Sequence, residues 1–218
     1  MKKKGFTTKE LTTLAMLTAI AYVLVCTIRI PVVLFLKYEP KDVVITIGGF
    51  LLGPMASLIS SLVVSLIEMV TISDTGPIGA IMNFLSTVSF ACLAAWVYRR
   101  KHTIHGAIGG LIFGSVVMTI LMLLWNYLIT PLYMGVDRET VAGMLIPAFL
   151  PFNLLKAGLN SAITLLLYKP LVTGLRKAGL VSPSGSSGSG TKSSGVLIFA
   201  GILLATCVLA ILVMRGII

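Results

Sequence analysis

Apolar positions in this chain come in long runs separated by short charged, glycine- or proline-containing segments. The runs cover about residues 9–30, 43–72, 79–98, 106–129, 146–168 and 195–214. A helix that crosses the hydrocarbon core of a bilayer needs about 20 predominantly apolar residues. The pattern predicts membrane-spanning α-helices. The run 43–72 is too long for one comfortable span and contains Gly53-Pro54. Proline breaks a helix interior, and glycine permits a sharp turn.

Charge decides how often that run crosses. Lys2, Lys3, Lys4 and Lys9 place the N-terminus in the cytoplasm, and Arg99-Arg100-Lys101 belongs there as well. One crossing by 43–72 would leave Arg99-Arg100-Lys101 outside. Two short helices, 43–53 and 55–72, keep it inside. The first is short, and is expected to be tilted or packed within the protein. The expected fold is an all-α integral membrane protein: a six-helix transmembrane bundle plus one extra C-terminal transmembrane helix. The outer loops are then 31–42, 73–78 and 130–145. The inner side holds the Gly-Pro turn, 99–105 and 169–194.

Composition agrees. Of 218 residues, 57% are hydrophobic and 11% charged, against roughly 25% charged in a soluble domain. A soluble globule would lack polar residues to coat itself, and a disordered chain would be poor in apolar ones. The net charge of +10 comes from 17 Lys+Arg against 7 Asp+Glu. In a soluble protein that excess would suggest nucleic acid. Here the bases flank apolar runs, so the bilayer is the expected partner and nucleic acid is not. The N-terminus, MKKKGFTTKE before an apolar run, lacks a small-x-small cleavage site and is expected to stay as the first helix. Cys26, Cys92 and Cys207 sit singly in apolar runs. They read as small buried hydrophobes, with neither a zinc site nor a disulfide framework indicated.

Residues 182–195, SPSGSSGSGTKSSG, have the composition of a flexible linker. They divide the chain into a membrane body (1–178), a cytoplasmic linker (179–195) and an additional helix (196–218), which is expected to be peripheral. Gly185 and Gly190 have the separation of a phosphate-binding loop, but Thr191 stands where its Lys would have to follow, and no strand precedes them. No ATP-hydrolysing machinery is visible. Small residues recur at four-residue spacing: Ala15 and Ala19; Ser57, Ser61 and Ser65; Gly106, Gly110 and Gly114. Such faces let helices approach closely. The glycine face suits internal packing, while the alanine face could also meet a separate protein.

Polar groups at membrane depth are costly and mark candidate sites. In FNLLKAGLNSAI, Asn153, Lys156 and Asn160 share one helix face. Lys156 has no carboxylate in its own helix. It needs an acidic side chain, a carbonyl cluster or a ligand, unless it snorkels to the outer surface. In WNYLITPLY, Trp125, Tyr127 and Tyr133 suit a membrane interface, whereas the amide of Asn126 suits the edge of a heterocycle. In LKYEPKDVVITIGGF, Tyr38, Glu39, Pro40 and Asp42 form either a charged lid over a cavity or an ordinary solvated loop. Glu68 lies near a helix end, where partial solvation is expected. His102 and His105 lack partners at metal-ligand spacing. No HExxH, GxSxG or paired carboxylates argue for catalysis.

AMLTA, YEPKDVVITIGGFLLGP, SDTGPIGAIMNF, WNYLITPLY and LPFNLLKAGLNSAI occur in this order within about residues 8–178. With the basic six-helix pattern they resemble the substrate-binding S components of energy-coupling factor (ECF) vitamin transporters, in particular the riboflavin-specific ones. The resemblance implies a bacterial cell-membrane protein with an outward-opening riboflavin pocket and no catalysis of its own. It implies flavin contacts from Asn126, Asn153 and Lys156, with Tyr38 and Glu39 in a covering loop. Ala15 and Ala19 would dock on a transmembrane coupling subunit, driven by two separate ATPases. No resident cofactor or metal is implied; riboflavin is the transported ligand, and the anionic flavin mononucleotide would meet Lys37 or Lys41 at the entrance. One departure stands out, since such proteins usually stop after six helices. A linker would let the seventh stay upright if the body topples during transport. The alternatives are an S component for another vitamin or cofactor precursor, an intramembrane enzyme using Glu68 or Lys156, and a structural membrane protein without a small ligand.

Overall fold

The computed structural model describes residues 5–73, 75–179 and 194–217. Lys2, Lys3 and Lys4 lie outside the described residues, as does most of the proposed linker with Gly185, Gly190 and Thr191. The elements are α1 (Thr8–Thr27), β1 (Ile30–Val33), β2 (Leu36–Tyr38), α2 (Lys41–Leu52), α3 (Pro54–Thr71), α4 (Gly76–Thr87), α5 (Leu93–Lys101), α6 (Ile104–Met134), α7 (Arg138–Met144), α8 (Leu150–Lys177) and α9 (Ser194–Met214). A π turn at Val88–Cys92 joins α4 to α5, and another at Leu145–Phe149 joins α7 to α8. Among the described residues, six helical stretches are long and apolar enough to cross a membrane: Thr8–Thr27, Pro54–Thr71, Gly76–Lys101, Ile104–Met134, Arg138–Leu175 and Gly195–Met214.

α1 opens with a capping box. The Thr7 hydroxyl accepts from the Glu10 N–H, and the Glu10 carboxylate accepts from the Thr7 N–H. α2 has 12 residues, about 18 Å of helix, too short for a hydrocarbon core about 30 Å thick. Its residues from Lys41 to Phe50 are all buried, and it packs against α1, α3 and α8. At its end Gly53 adopts φ +97°, a conformation open to glycine, and Pro54 starts α3. A Cβ on Gly53 would lie 3.2 Å from the Arg99 guanidinium. The Gly-Pro turn and the Arg99 segment therefore share one end of the bundle, as two helices over 43–72 require.

Two loops differ from expectation. The loop expected over 31–42 is largely a two-stranded antiparallel hairpin that starts at Ile30 and pairs Ile30 with Tyr38 and Pro31 with Lys37. Residues 130–145 are largely helical. α6 runs through Pro131 to Met134, because a proline in a last turn displaces few bonds, and Gly135 closes the helix by donating its N–H to the Pro131 carbonyl at 2.9 Å. In the second π turn Pro147 has no N–H to give, which favours a shifted hydrogen-bond register.

The glycine face of α6 lies against the first π turn and α5. A Cβ on Gly110 would sit 2.5 Å from the Ala94 carbonyl oxygen, and one on Gly114 2.5 Å from that of Phe90. α9 is peripheral, as its tether suggested. Ile198, Phe199, Ile202, Leu209 and Val213 are exposed along it, and Ala200, Cys207 and Ile211 are buried on the side that meets α8. The cysteines divide. Cys207 is buried, Cys92 is half-buried and donates to the Pro54 carbonyl, and Cys26 is exposed. The exposure of Cys26 corrects the expectation of burial: it lies on the outer side of α1, where Ile20 and Val23 are also exposed.

Gly110→Ala is expected to lower the thermal unfolding temperature in detergent by the equivalent of about 1–3 kcal/mol through overpacking. Gly109→Ala, which has open space at its Cβ, should leave it unchanged or raise it. Equal behaviour of the two variants would contradict the α5–α6 contact.

Candidate functional site

The first turn of α2 places Lys41 and Asp42 inside the bundle, where each must be paired. Lys41 Nζ donates to both Glu68 oxygens at 2.5 and 2.7 Å and lies 3.1 Å from Glu39 Oε2. Glu39 also accepts from Arg29 Nε at 2.9 Å, and Arg29 Nη1 donates to the Ile72 carbonyl at 2.8 Å. Asn83 Nδ2 donates to Glu68 at 3.1 Å. Asp42 accepts from Thr87 Oγ1 at 2.7 Å and from Asn160 Nδ2 at 3.1 Å, and lies 3.2 Å from Lys156 Nζ. Lys156 donates to Ser86 Oγ at 3.1 Å, and Tyr38 donates to Asn160 Oδ1 at 3.1 Å. Arg29 and Lys41 thus balance Glu39 and Glu68, Lys156 balances Asp42, and the adjacent positions of Lys41 and Asp42 on α2 join the two clusters into one charge-balanced network.

Beside this network lies a cavity of about 270 Å³, near the lower end of the roughly 300–1,000 Å³ of small-molecule sites. The hairpin side contributes Phe35, Leu36, Lys37 and Glu39; α4 contributes Met82, Asn83 and Ser86; α6 contributes Met122, Asn126 and Tyr133; α8 contributes Phe152, Asn153 and Lys156. Arg29 and Thr75 complete the wall. Asn126 donates to the Met122 carbonyl and accepts from Thr130, and Asn153 donates to the Phe149 carbonyl. Each amide keeps a second N–H, and Asn153 Oδ1 keeps its lone pairs. The Lys156 ammonium has three protons, of which Asp42 and Ser86 account for two. The wall therefore offers fixed donors and an acceptor among apolar and thioether surfaces. Among the described residues no group of His, Cys, Asp or Glu is arranged to hold a metal ion.

Of the residues that the resemblance implies contact the flavin, Glu39, Asn126, Asn153 and Lys156 line the cavity and Tyr38 does not. It is buried behind the wall, bonded to Asn160, and its hydroxyl is pushed above the ordinary tyrosine range, by burial first and by the nearby Asp42 second. Burial alone would raise the Glu39 carboxyl, but Lys41, Lys156 and Arg29 outweigh it and hold the group below the usual carboxylate range. Ala15 and Ala19 are exposed on α1, whose residues do not line the cavity.

Of the two readings left open for Glu39 to Asp42, the solvated loop does not hold: these charges are buried, and the network neutralises them. Two expectations are corrected. Glu68 is 2% exposed, since Lys41 and Asn83 close over it despite its place near a helix end. Lys41 is 1% exposed and committed to Glu39 and Glu68, so it cannot meet a phosphate at the entrance. Arg29, Phe35, Asn83, Ser86, Met122 and Phe152 were not singled out in the sequence. Asn83 and Ser86 carried a usable signal: polar residues at i and i+3 in an apolar helix share a face.

Residues 9–168 match the family described as ECF transporter, substrate-specific component. A solved S component of a bacterial ECF transporter superposes with a TM-score of 0.65 at 33% identity, covering 77% of this chain and 98% of that one. The chain belongs to the S components of ECF transporters. It is similar to riboflavin transporter RibU of Staphylococcus aureus, 33% identical over 78% of this chain and 93% of the relative. It is also similar to riboflavin transporter FmnP of Bacillus subtilis, 25% identical over 78% of this chain and 97% of the relative. This S component is a multi-pass membrane protein of a transporter family, and its cavity sits at the charge-balanced end of the bundle.

Lys41→Met is expected to destabilise the ligand-free protein by about 3–5 kcal/mol, because Glu39 and Glu68 lose their shared cation. Adding Glu68→Leu should restore much of the loss. Thermal unfolding of the purified proteins checks both; an additive double variant would contradict the coupling.

Proposed function

We propose that this S component captures riboflavin from the outside in the cavity between the hairpin, α4, α6 and α8. The single observation that carries the reading is the wall itself: directional donors from Asn126, Asn153 and Lys156 among apolar residues, in a network whose formal charges cancel. An isoalloxazine ring has a polar pyrimidine edge for amide and ammonium donors and an apolar face for Phe35, Phe152 and the methionines. A neutral ligand needs no uncompensated charge, whereas an anionic vitamin would. The phosphate of flavin mononucleotide would fall to Lys37, which lines the cavity, rather than to Lys41, which does not. The relatives named as riboflavin transporters support this assignment.

Delivery across the membrane belongs to a transmembrane coupling subunit and two ATPase subunits, with no catalysis by this chain and no resident cofactor. The protein sits in the bacterial cell membrane with its N-terminus in the cytoplasm, the side to which Lys9 and Arg99-Arg100-Lys101 are drawn. The exposed Ala15 and Ala19 on α1 are the docking face for the coupling subunit.

Riboflavin fluorescence should be quenched saturably by the detergent-purified protein at nanomolar to low-micromolar concentration. Lys156→Ala should weaken binding by about 1.5–3 kcal/mol, the worth of a hydrogen bond to a charged group. A folded protein that leaves flavin fluorescence unchanged would overturn the substrate assignment and call for a panel of other vitamins. Ala15→Trp with Ala19→Trp should leave that binding intact while abolishing uptake in cells that contain the partner subunits; unchanged uptake would contradict the docking face.

A further inference from the structure

The β1–β2 hairpin has two working sides. One faces the cavity through Phe35, Leu36, Lys37 and Glu39. The other is buried in an apolar cluster that joins Val32, Leu36 and Tyr38 to Phe149, and α9 supplies Cys207 and Ile211 to it. α9 also contacts β1 directly. Its seat on α8 is close: a Cβ on Gly158 would lie 2.8 Å from Cys207 Sγ. Phe152 belongs to the same cluster and lines the cavity. The family match ends at residue 168, so α9 lies beyond the part of the chain shared with that family.

A two-stranded hairpin is marginal alone and needs a surface to pack on. Here the strands have four and three residues. We propose that α9 is a clamp on this hairpin: by packing Cys207 and Ile211 behind it, α9 keeps the hairpin down over the bound ligand and slows ligand escape. The inference rests on the cavity being the ligand site. Tyr38, which shares the cluster with Cys207, donates to Asn160, which donates to Asp42, the partner of Lys156. The contact therefore backs both the covering strand and the lysine in the cavity wall. A helix serving only as an extra anchor in the bilayer would be indifferent to the ligand.

Coupling between two sites is reciprocal, so a clamp that holds the ligand must itself be held by it. With Cys26→Ser and Cys92→Ser, Cys207 is the one remaining thiol of the chain's 3 cysteines. Its labelling by N-ethylmaleimide should slow by about fivefold or more when riboflavin saturates the protein. In a second arm, Gly158→Val crowds α9 away from α8 without touching the cavity wall. Riboflavin dissociation, followed by recovery of fluorescence in stopped flow, should then quicken by about fivefold or more. Equal labelling rates with and without bound riboflavin overturn the proposal. So does unchanged dissociation from a folded, monodisperse Gly158→Val protein; if that variant does not fold, the labelling arm decides. Absence of any flavin quenching by the parent protein sinks the cavity reading and this inference with it. Quenching with uncoupled labelling sinks the clamp alone.

Discussion

Lys41 and Asp42 occupy adjacent positions at the start of a helix with almost no access to water, and the arrangement of the cavity end of the bundle follows from satisfying them. Removing two charges from water costs several kcal/mol each unless geometry and hydrogen bonds compensate. Compensation here is distributed over the whole fold. Lys41 takes carboxylates from the loop before α2 and from α3, and Asp42 takes donors from α8 and from the last residue of α4. The N-terminus of α2 also favours the Asp42 carboxylate through its helix dipole. α2 is too short to be fixed by the bilayer, so these bonds set its depth. The cavity is the space left beside a network that has already used most of its hydrogen-bonding capacity.

That economy explains what the site can hold. Within the network the charges cancel, so it offers no uncompensated cation to an anion, and its unused groups and those of the adjoining wall are directional: amide protons, a carbonyl oxygen and a lysine proton. Directional groups reject a mismatched ligand more sharply than apolar walls do, because each unmet donor or acceptor stays desolvated and unpaired. In the proposed riboflavin site, specificity falls to Asn126, Asn153 and Lys156, while Phe35, Phe152, Met82 and Met122 supply area.

Much of this was legible in the sequence, and the failures have physical causes. Gly53-Pro54 with two basic clusters was enough to divide 43–72 into two helices. The isolation of Lys156 in an apolar helix showed that it needed a partner. Which partner was not readable, because Asp42 approaches from a distant helix through tertiary packing. Glu68 misled, since position near a helix end says nothing about what folds over that end. The loop expected over 130–145 begins too early because α6 runs on through Pro131, where proline costs few bonds. The hairpin was hidden for another reason: Ile30 to Tyr38 is uniformly apolar except for Pro31 and Lys37, so its strands lack the alternation that marks a half-buried sheet. Its burial does alternate, with Val32, Leu36 and Tyr38 buried and Val33, Phe35 and Lys37 half-buried, but apolar residues fill both sets, so the sequence pattern does not show it.

α9 separates hydropathy from packing. Lipid tails are as apolar as leucine, so an apolar helix has no hydrophobic reason to leave lipid for another helix. Its hydropathy accounts for its place in the bilayer and not for its place on α8. Association in that solvent depends on close contact, and the contact available is a glycine opposite a small, polarizable side chain, Gly158 against Cys207. Such a contact is strong only while the surfaces fit. Because the surface that completes the fit includes the hairpin, whatever shifts the hairpin must loosen α9, and whatever loosens α9 must free the hairpin.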